Sequence, residues 1–493
     1  MDLEAPGPDD VQVIAVLETQ GRNWLVEAAD SLRGGTAWDP GPDFAPRLPS
    51  EFKLDKSFGA VPLGNVSPPD FEVARTISRD FLEPRLSRFF IVRGFVEAKS
   101  PAAIPVRIQD NSTHIFLYSD PTTCPIITCA NHRPVGSIID VQRKLNVAGL
   151  ATKRLDGRDV AVAIVDSGIY LRHLTRRSPP DEPPADRRPH PRYPVPQRQP
   201  GDPPIFDDVN SWRPARLATP PGNHRIGHGT MCAYDVLAVA PKATLLDFPM
   251  LIDRSPGDHS VTGTVAAAFH AYWRLLDLWA TTVAPGSSEK YKALVVNNSW
   301  GVFHPCEEDF LPGQPGRYID NWYHPLHAFI QILVNAGIDM IFAAGNAGLP
   351  CPMPSYLHNT SGSIMGANAY PEVLTVAGCD VNDTRVGYSS QGPSIPMFPQ
   401  GPQFKPDLTA YTHFLGSQVQ GERQPDSGTS AASPIAAGCV AALRTAGATA
   451  ATSPAQLFKV LKDTARSVGT PGWNADFGYG IIDPAAAAQM LGL

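Results

Sequence analysis

The sequence has no excess of basic residues: 41 lysines and arginines stand against 48 aspartates and glutamates, a formal net charge of -7. A chain with that balance has no surplus cation to neutralise phosphates, so nucleic acid is not an expected partner. The local basic stretch from Arg187 to Arg192 lies among prolines and reads as a solvated loop. No run of about 18 apolar residues occurs, so no membrane span is expected. The opening MDLEAPGPDD lacks the positive and apolar segments of a secretory signal, which points to the cytoplasm, or to export without a conventional signal peptide. Cysteines number seven, odd and scattered, and do not read as a disulfide framework. Cys124 and Cys129 have no second pair beside them, so two free thiols fit better than a zinc site. No internal repeat is present. Charged residues are 18% and hydrophobic residues 43%, ordinary globular usage that excludes a mostly disordered protein.

What is present is length and punctuation. At roughly 100 to 200 residues per domain, 493 residues make two or three units. Proline, which breaks helices and central strands alike, divides the chain into three regions. Residues 1 to 135 read as a small α/β module, with strands at Val11 to Leu17, Ile91 to Val96 and Ile115 to Tyr118. From residue 136 to 493, short apolar runs alternate with helical patterns, as a parallel sheet with crossover helices requires. The runs Val160 to Val165, Ala293 to Val296, Asp339 to Ala344 and Val373 to Ala377 have no polar alternation and suit strands buried on both faces. Val265 to Leu276 and Tyr323 to Ala336 read as helices. The stretch 171–226 interrupts this unit with 14 prolines and no periodicity, and reads as a long surface insertion.

A parallel sheet places its functional groups beyond the carboxyl ends of its strands. Asp166 follows Val165 directly, at such an end; turn formation or helix capping also fits it. His228 lies in Gly227-His228-Gly229-Thr230, where flanking glycines allow close backbone approach and leave the imidazole room. Ser430 lies in Ser427-Gly428-Thr429-Ser430-Ala431-Ala432-Ser433-Pro434. Pro434 suits a first helical turn, so the hydroxyl sits where backbone N–H groups favour negative charge, although a simple cap fits as well. Asn346 ends Phe342-Ala343-Ala344-Gly345-Asn346 between glycines, placed either to aim its amide at an oxyanion or to form a turn.

These four segments, in the order Asp, His, Asn, Ser, resemble the signature motifs of the subtilisin-like serine proteases, the subtilases. Val239-Ala240-Pro241, Tyr388 to Pro393 and Lys405-Pro406-Asp407 extend the likeness over about Ile138 to Pro484. The resemblance implies a subtilisin-like three-layer α/β fold with a mainly parallel sheet, plus the N-terminal module. It implies a serine endopeptidase in which Ser430 is nucleophile, His228 general base, Asp166 its partner and Asn346 an oxyanion donor. Ser299, Trp300 and Gly301 then resemble the strand edge that pairs with substrate backbone, and Ala343, Ala344 and Gly345 the facing wall of the first specificity pocket. Protein or peptide is the expected substrate, and Glu307, Glu308 and Asp309 hint at basic side chains. The chemistry needs no cofactor, and structural calcium, common in such proteins, has no residue set that can be placed. The N-terminal module is expected to be a propeptide or a regulatory domain, and an inhibitory protein is the other candidate partner. The rival reading is a catalytically idle subtilase fold serving as a scaffold; the presence of every reacting residue type disfavours it.

Overall fold

In a computed structural model of the chain, the structure describes residues 7, 9–18, 23–36, 48–49, 51–64, 89–105, 107–110, 113–125, 133–175, 193–225, 227–254, 261–302, 308–349, 362–449 and 451–493. The basic stretch 187–192, Cys129 and Glu307 lie outside the described residues.

Among the described residues, the N-terminal module is an antiparallel sheet of β1 (Asp10–Glu18), β2 (Phe52–Leu54), β3 (Val61–Gly64), β4 (Phe89–Glu97), β5 (Arg107–Asp110) and β6 (Thr113–Ser119), with the helix α1 (Asn23–Gly34) packed beside it. Its strand order is β2-β4-β1-β6-β5, and β3 pairs with β4. Residues 13 to 17 of β1 are all buried, and the period of two explains how. Val13, Ala15 and Leu17 face the module's own core. Ile14 and Val16 face the other way, into a core shared with the larger unit.

That larger unit is built on a six-stranded parallel sheet: β8 (Val160–Asp166), β9 (Thr244–Pro249), β12 (Ala293–Asn298), β14 (Asp339–Ala343), β15 (Leu374–Cys379) and β16 (Leu408–Tyr411). The spatial order is β16-β15-β14-β12-β8-β9. Alternation again assigns the faces. Val160, Val162 and Ile164 meet α2 (His228–Val239) and α5 (Thr429–Arg444). Ala161, Ala163 and Val165 meet α3 (Val265–Thr282) and α4 (Pro325–Ala336). Each fully buried Val, Leu, Ile or Phe in these layers contributes about 1.5–3 kcal/mol, so the three-layer sandwich is held chiefly by its two apolar seams. The expected strands and helices all form; β9 and β16 were not anticipated, and α3 continues to Thr282 instead of stopping at Leu276.

Much of the expected insertion folds onto the body. Leu171–Thr175 is a short helix, and Val195 and Trp212 are buried. Trp212 Nε1 donates to Leu32 O of the module at 3.0 Å. A second tie is the carboxylate of Asp120, just past β6. It accepts the N–H of Ala266 at 2.7 Å in the first turn of α3, and the amide of Gln12 at 2.8 Å. A negative charge at a helix N-terminus offsets the unpaired N–H groups there.

Burial nevertheless raises the Asp120 carboxyl to about 6 from 3.8, against the opposing pull of Arg93 and the Ala266 N–H. A carboxyl raised in the folded state contributes stability that is complete below its unfolded pKa and is lost as pH rises through the folded one. Asp120→Asn keeps an acceptor for Ala266 and removes the ionisation. Relative to this variant, the wild type should lose up to about 3 kcal/mol of unfolding free energy between pH 4 and pH 7, measured by denaturant titration at each pH.

Candidate active site

Three buried parallel strands define the floor of the site. Val165 pairs with Asn298, and Asn298 with Phe342. The residues that follow, Asp166, Ser299 and Ala343, therefore stand in one row at the carboxyl edge of the sheet. Asp166 is fully buried. Its Oδ1 accepts the Ser167 N–H at 2.7 Å, and its two oxygens lie 2.9 and 3.0 Å from His228 Nδ1. A carboxylate held this way fixes the imidazole with Nδ1 as donor and leaves Nε2 to act on a substrate-side group.

His228 opens α2, and Gly229 shows why glycine follows it: a Cβ there would sit 2.7 Å from Gly168 O, backbone against backbone. The Gly229 N–H donates to Ser167 Oγ at 3.0 Å, tying the histidine helix to the strand exit. α5 crosses α2 at comparable closeness, since a Cβ on Gly438 would lie 2.8 Å from the Val239 Cβ.

Ser430, in the first turn of α5, is fully buried. Its hydroxyl donates to Ser299 O at 3.2 Å, and Ser299 Oγ returns a bond to Ser430 O at 3.0 Å. His228 Nε2 is buried without a hydrogen-bond partner among the described residues. The Asp166–His228 limb of the expected relay is thus closed, and the His228–Ser430 limb is open. Asn346 is oriented by Thr429: the Thr429 N–H and Oγ1 donate to its Oδ1 at 2.8 and 3.1 Å, so the amide's NH2 is the end that can meet an oxyanion.

Of the six expected pocket residues, Trp300 contributes backbone only. Its ring is fully buried, edge-on to Phe342 at 5.7 Å, and its indole N–H reaches Asn298 Oδ1 at 3.3 Å. Glu308 does not line the pocket as a free charge. It is buried and accepts the N–H groups of Phe310, Tyr318 and Ile319, while Asp309 is exposed to solvent.

Of the edge Ser299 to Gly301, Trp300 and Gly301 are already paired. β7 (Thr122–Pro125), the strand that leaves the module, runs antiparallel to β13 (Trp300–Gly301), with Pro125 opposite Trp300 and Cys124 opposite Gly301. On its other side Thr123 and Thr122 pair with Gly263 and Thr264 of β11 (Val261–Thr264). β10 (Asp253–Arg254) completes this four-stranded sheet. The strand that leaves the module thus pairs with the edge that the sequence resemblance assigns to an extended peptide.

Cys232 is a neighbour that the motif reading passed over, although its position four residues after His228 puts it on the same helix face. Its Sγ lies 3.5 Å from Ser430 O, 3.8 Å from Asp166 Oδ2 and 3.9 Å from His228 Nδ1. Asp166, His228 and Cys232 offer ligand atoms within 4.8 Å of one another. Burial first, then the charge of Asp166, pushes the thiol well above its usual range. An enclosed thiol raised in this way is a poor nucleophile, so it backs the acid–imidazole pair without joining its chemistry.

The family model described as the subtilase family matches residues 157–480. The chain belongs to the subtilase family. The subtilases as a family are serine proteases. Curated relatives include the membrane-bound transcription factor site-1 proteases of Homo sapiens and Mus musculus, each 32% identical over 172 residues. That match covers 34% of this subtilase and 15% of each relative. Burial also raises the thiols of Cys379 and Cys439, with Cys379 further raised by Asp383 and Cys439 by Asp483. Treatment of the native protein with a maleimide should leave Cys232, Cys379 and Cys439 unmodified and label them after unfolding, as read by peptide mass; native labelling of Cys232 would contradict its enclosure behind the histidine.

Proposed function

We propose that this protein is a serine endopeptidase that hydrolyses peptide bonds through an acyl-enzyme on Ser430. The observation that carries the reading is the His228 Nδ1 contact with buried Asp166 in the same edge row as Ser299, the residue that exchanges hydrogen bonds with Ser430. In the reaction, His228 Nε2 takes the Ser430 proton as Oγ attacks the peptide carbonyl, and Asp166 stabilises the imidazolium. The Asn346 amide and the Ser430 N–H hold the oxyanion. His228 then returns the proton to the leaving amine, and water cleaves the acyl-enzyme by the same route. No step needs a cofactor.

The open His228–Ser430 limb supports a latent state rather than an idle fold. The Ser430 hydroxyl rests on Ser299 O, an acceptor that a substrate N–H would claim by adding a strand along this edge. Catalytic hydrogen bonds of this kind tighten only when substrate is in place. The N-terminal module is accordingly an intramolecular inhibitor, with Thr122–Pro125 standing in for substrate and Asp120 and Trp212 anchoring it.

Incubated full-length protein should label with a fluorophosphonate, cleave peptides and lose the mass of its N-terminal module. Ser430→Ala should do none of these. Asn346→Ala should fold as the wild type does but lose about 10²–10³ in turnover, the cost known for an oxyanion-hole asparagine in a subtilisin. Wild-type protein that neither labels nor cleaves over a range of conditions removes the enzyme reading.

A further inference from the structure

The two walls of the specificity pocket are joined by a side chain that the motif analysis did not single out. Asn368 lies in the short 3-10 turn Gly366–Ala369 and is 2% exposed. Its Nδ2 donates to Trp300 O at 2.9 Å and to Ala343 O at 2.8 Å, one carbonyl from each wall. Its Oδ1 is buried and has no partner among the described residues. A Cβ built on Gly301 would lie 3.1 Å from that oxygen. The amide therefore fills the space immediately beneath Gly301, where a deep pocket would continue. The turn cannot easily retreat: the Ala367 N–H donates to the Tyr318 hydroxyl at 2.9 Å, and Thr375 Oγ1 donates to Asn368 O at 2.7 Å.

We infer that Asn368 is the floor of the primary specificity pocket, and that it limits the residue before the scissile bond to short, uncharged side chains. This rests on the endopeptidase reading. The walls add no side-chain bulk and no charge, because Ser299, Gly301, Ala343, Ala344 and Gly345 are small and the Trp300 ring turns into the core. With both amide protons committed to the walls, the floor offers one neutral acceptor. It has no carboxylate to compensate a buried ammonium or guanidinium, whose desolvation is costly when unpaired. An aromatic ring entering this space would have to displace the amide and leave two wall carbonyls unpaired. Alanine, serine, valine and similar side chains fit above it.

The test compares kcat/KM on peptides that differ only at this residue, Ala, Val, Leu, Phe, Tyr and Lys, with active sites counted by fluorophosphonate labelling. The wild type should favour the small aliphatic members over Phe and Tyr by at least about tenfold, the discrimination that one or two methylenes give in an apolar pocket. Asn368→Ala should raise the Phe-to-Val ratio of kcat/KM, normalised to labelled active sites, about tenfold or more. Asn368→Ser, smaller but still polar, should fall between them, and serves if the alanine variant does not fold. A merely structural asparagine would lower every substrate and the labelling together, leaving the ratio unchanged, and that result overturns the inference. So does a labelled wild-type enzyme that prefers Phe, Tyr or Lys. Absence of labelling and of all cleavage instead removes the enzyme reading itself.

Discussion

Everything at the candidate site depends on the strict parallel register of β8, β12 and β14. Parallel strands buried on both faces present nothing polar until they end, and here they end level. Asp166, Ser299 and the Ala343–Asn346 turn consequently emerge side by side. A slip of one residue in any of the three would exchange its two faces and move its functional end by about 3.3 Å. The two helices that supply His228 and Ser430 are fixed to this edge by close backbone contacts at Gly229 and Gly438, which side chains of any size would spoil. The site is thus a property of the core, and its side chains need little freedom of their own.

The same edge explains the role given to the N-terminal module. β7 adds main-chain pairing on both of its sides, while the module's sheet lends Ile14 and Val16 to the apolar seam that includes residues of α3 and α4. A strand attached to a docked domain meets its groove at high effective concentration, so modest pairing suffices to fill it. The described part of the insertion, through Trp212, contributes to the same docking. That gives a proline-rich stretch with no chemistry of its own a structural purpose.

Much of this was legible in the sequence because unbroken apolar runs and glycine-flanked polar residues are local signals. Val160 to Val165 reads as a buried strand from its composition, and Asp166 and Asn346 follow from where such strands stop. The element boundaries drifted where the signal is weak: β16 is only four residues, Leu408–Tyr411, and looks like loop on either side. What the sequence could not show is pairing between distant segments. Thr122–Pro125 reads only as the end of a turn until β11 and β13 are seen on its flanks. Glu308 looked like a specificity charge because nothing local reveals the three N–H groups it accepts. Asn368 lies in a segment without a motif, and its importance exists only in the two carbonyls it joins. The Ser430–Ser299 bond belongs to the same class, since a rotamer is decided by neighbours that the chain brings from 131 residues away.

The central claim is that Ser430, His228 and Asn346 converge on one reacting atom once the groove is vacated by the module and filled by substrate. A crystal structure of the processed protein with a peptide boronic acid tests this directly. The account predicts a tetrahedral boronate bonded to Ser430 Oγ, one of its oxygens within hydrogen-bond distance of the Asn346 amide and another facing His228 Nε2, with the peptide paired along Ser299 to Gly301. A boronate found elsewhere, with the Ser430 hydroxyl still resting on Ser299 O, would contradict it.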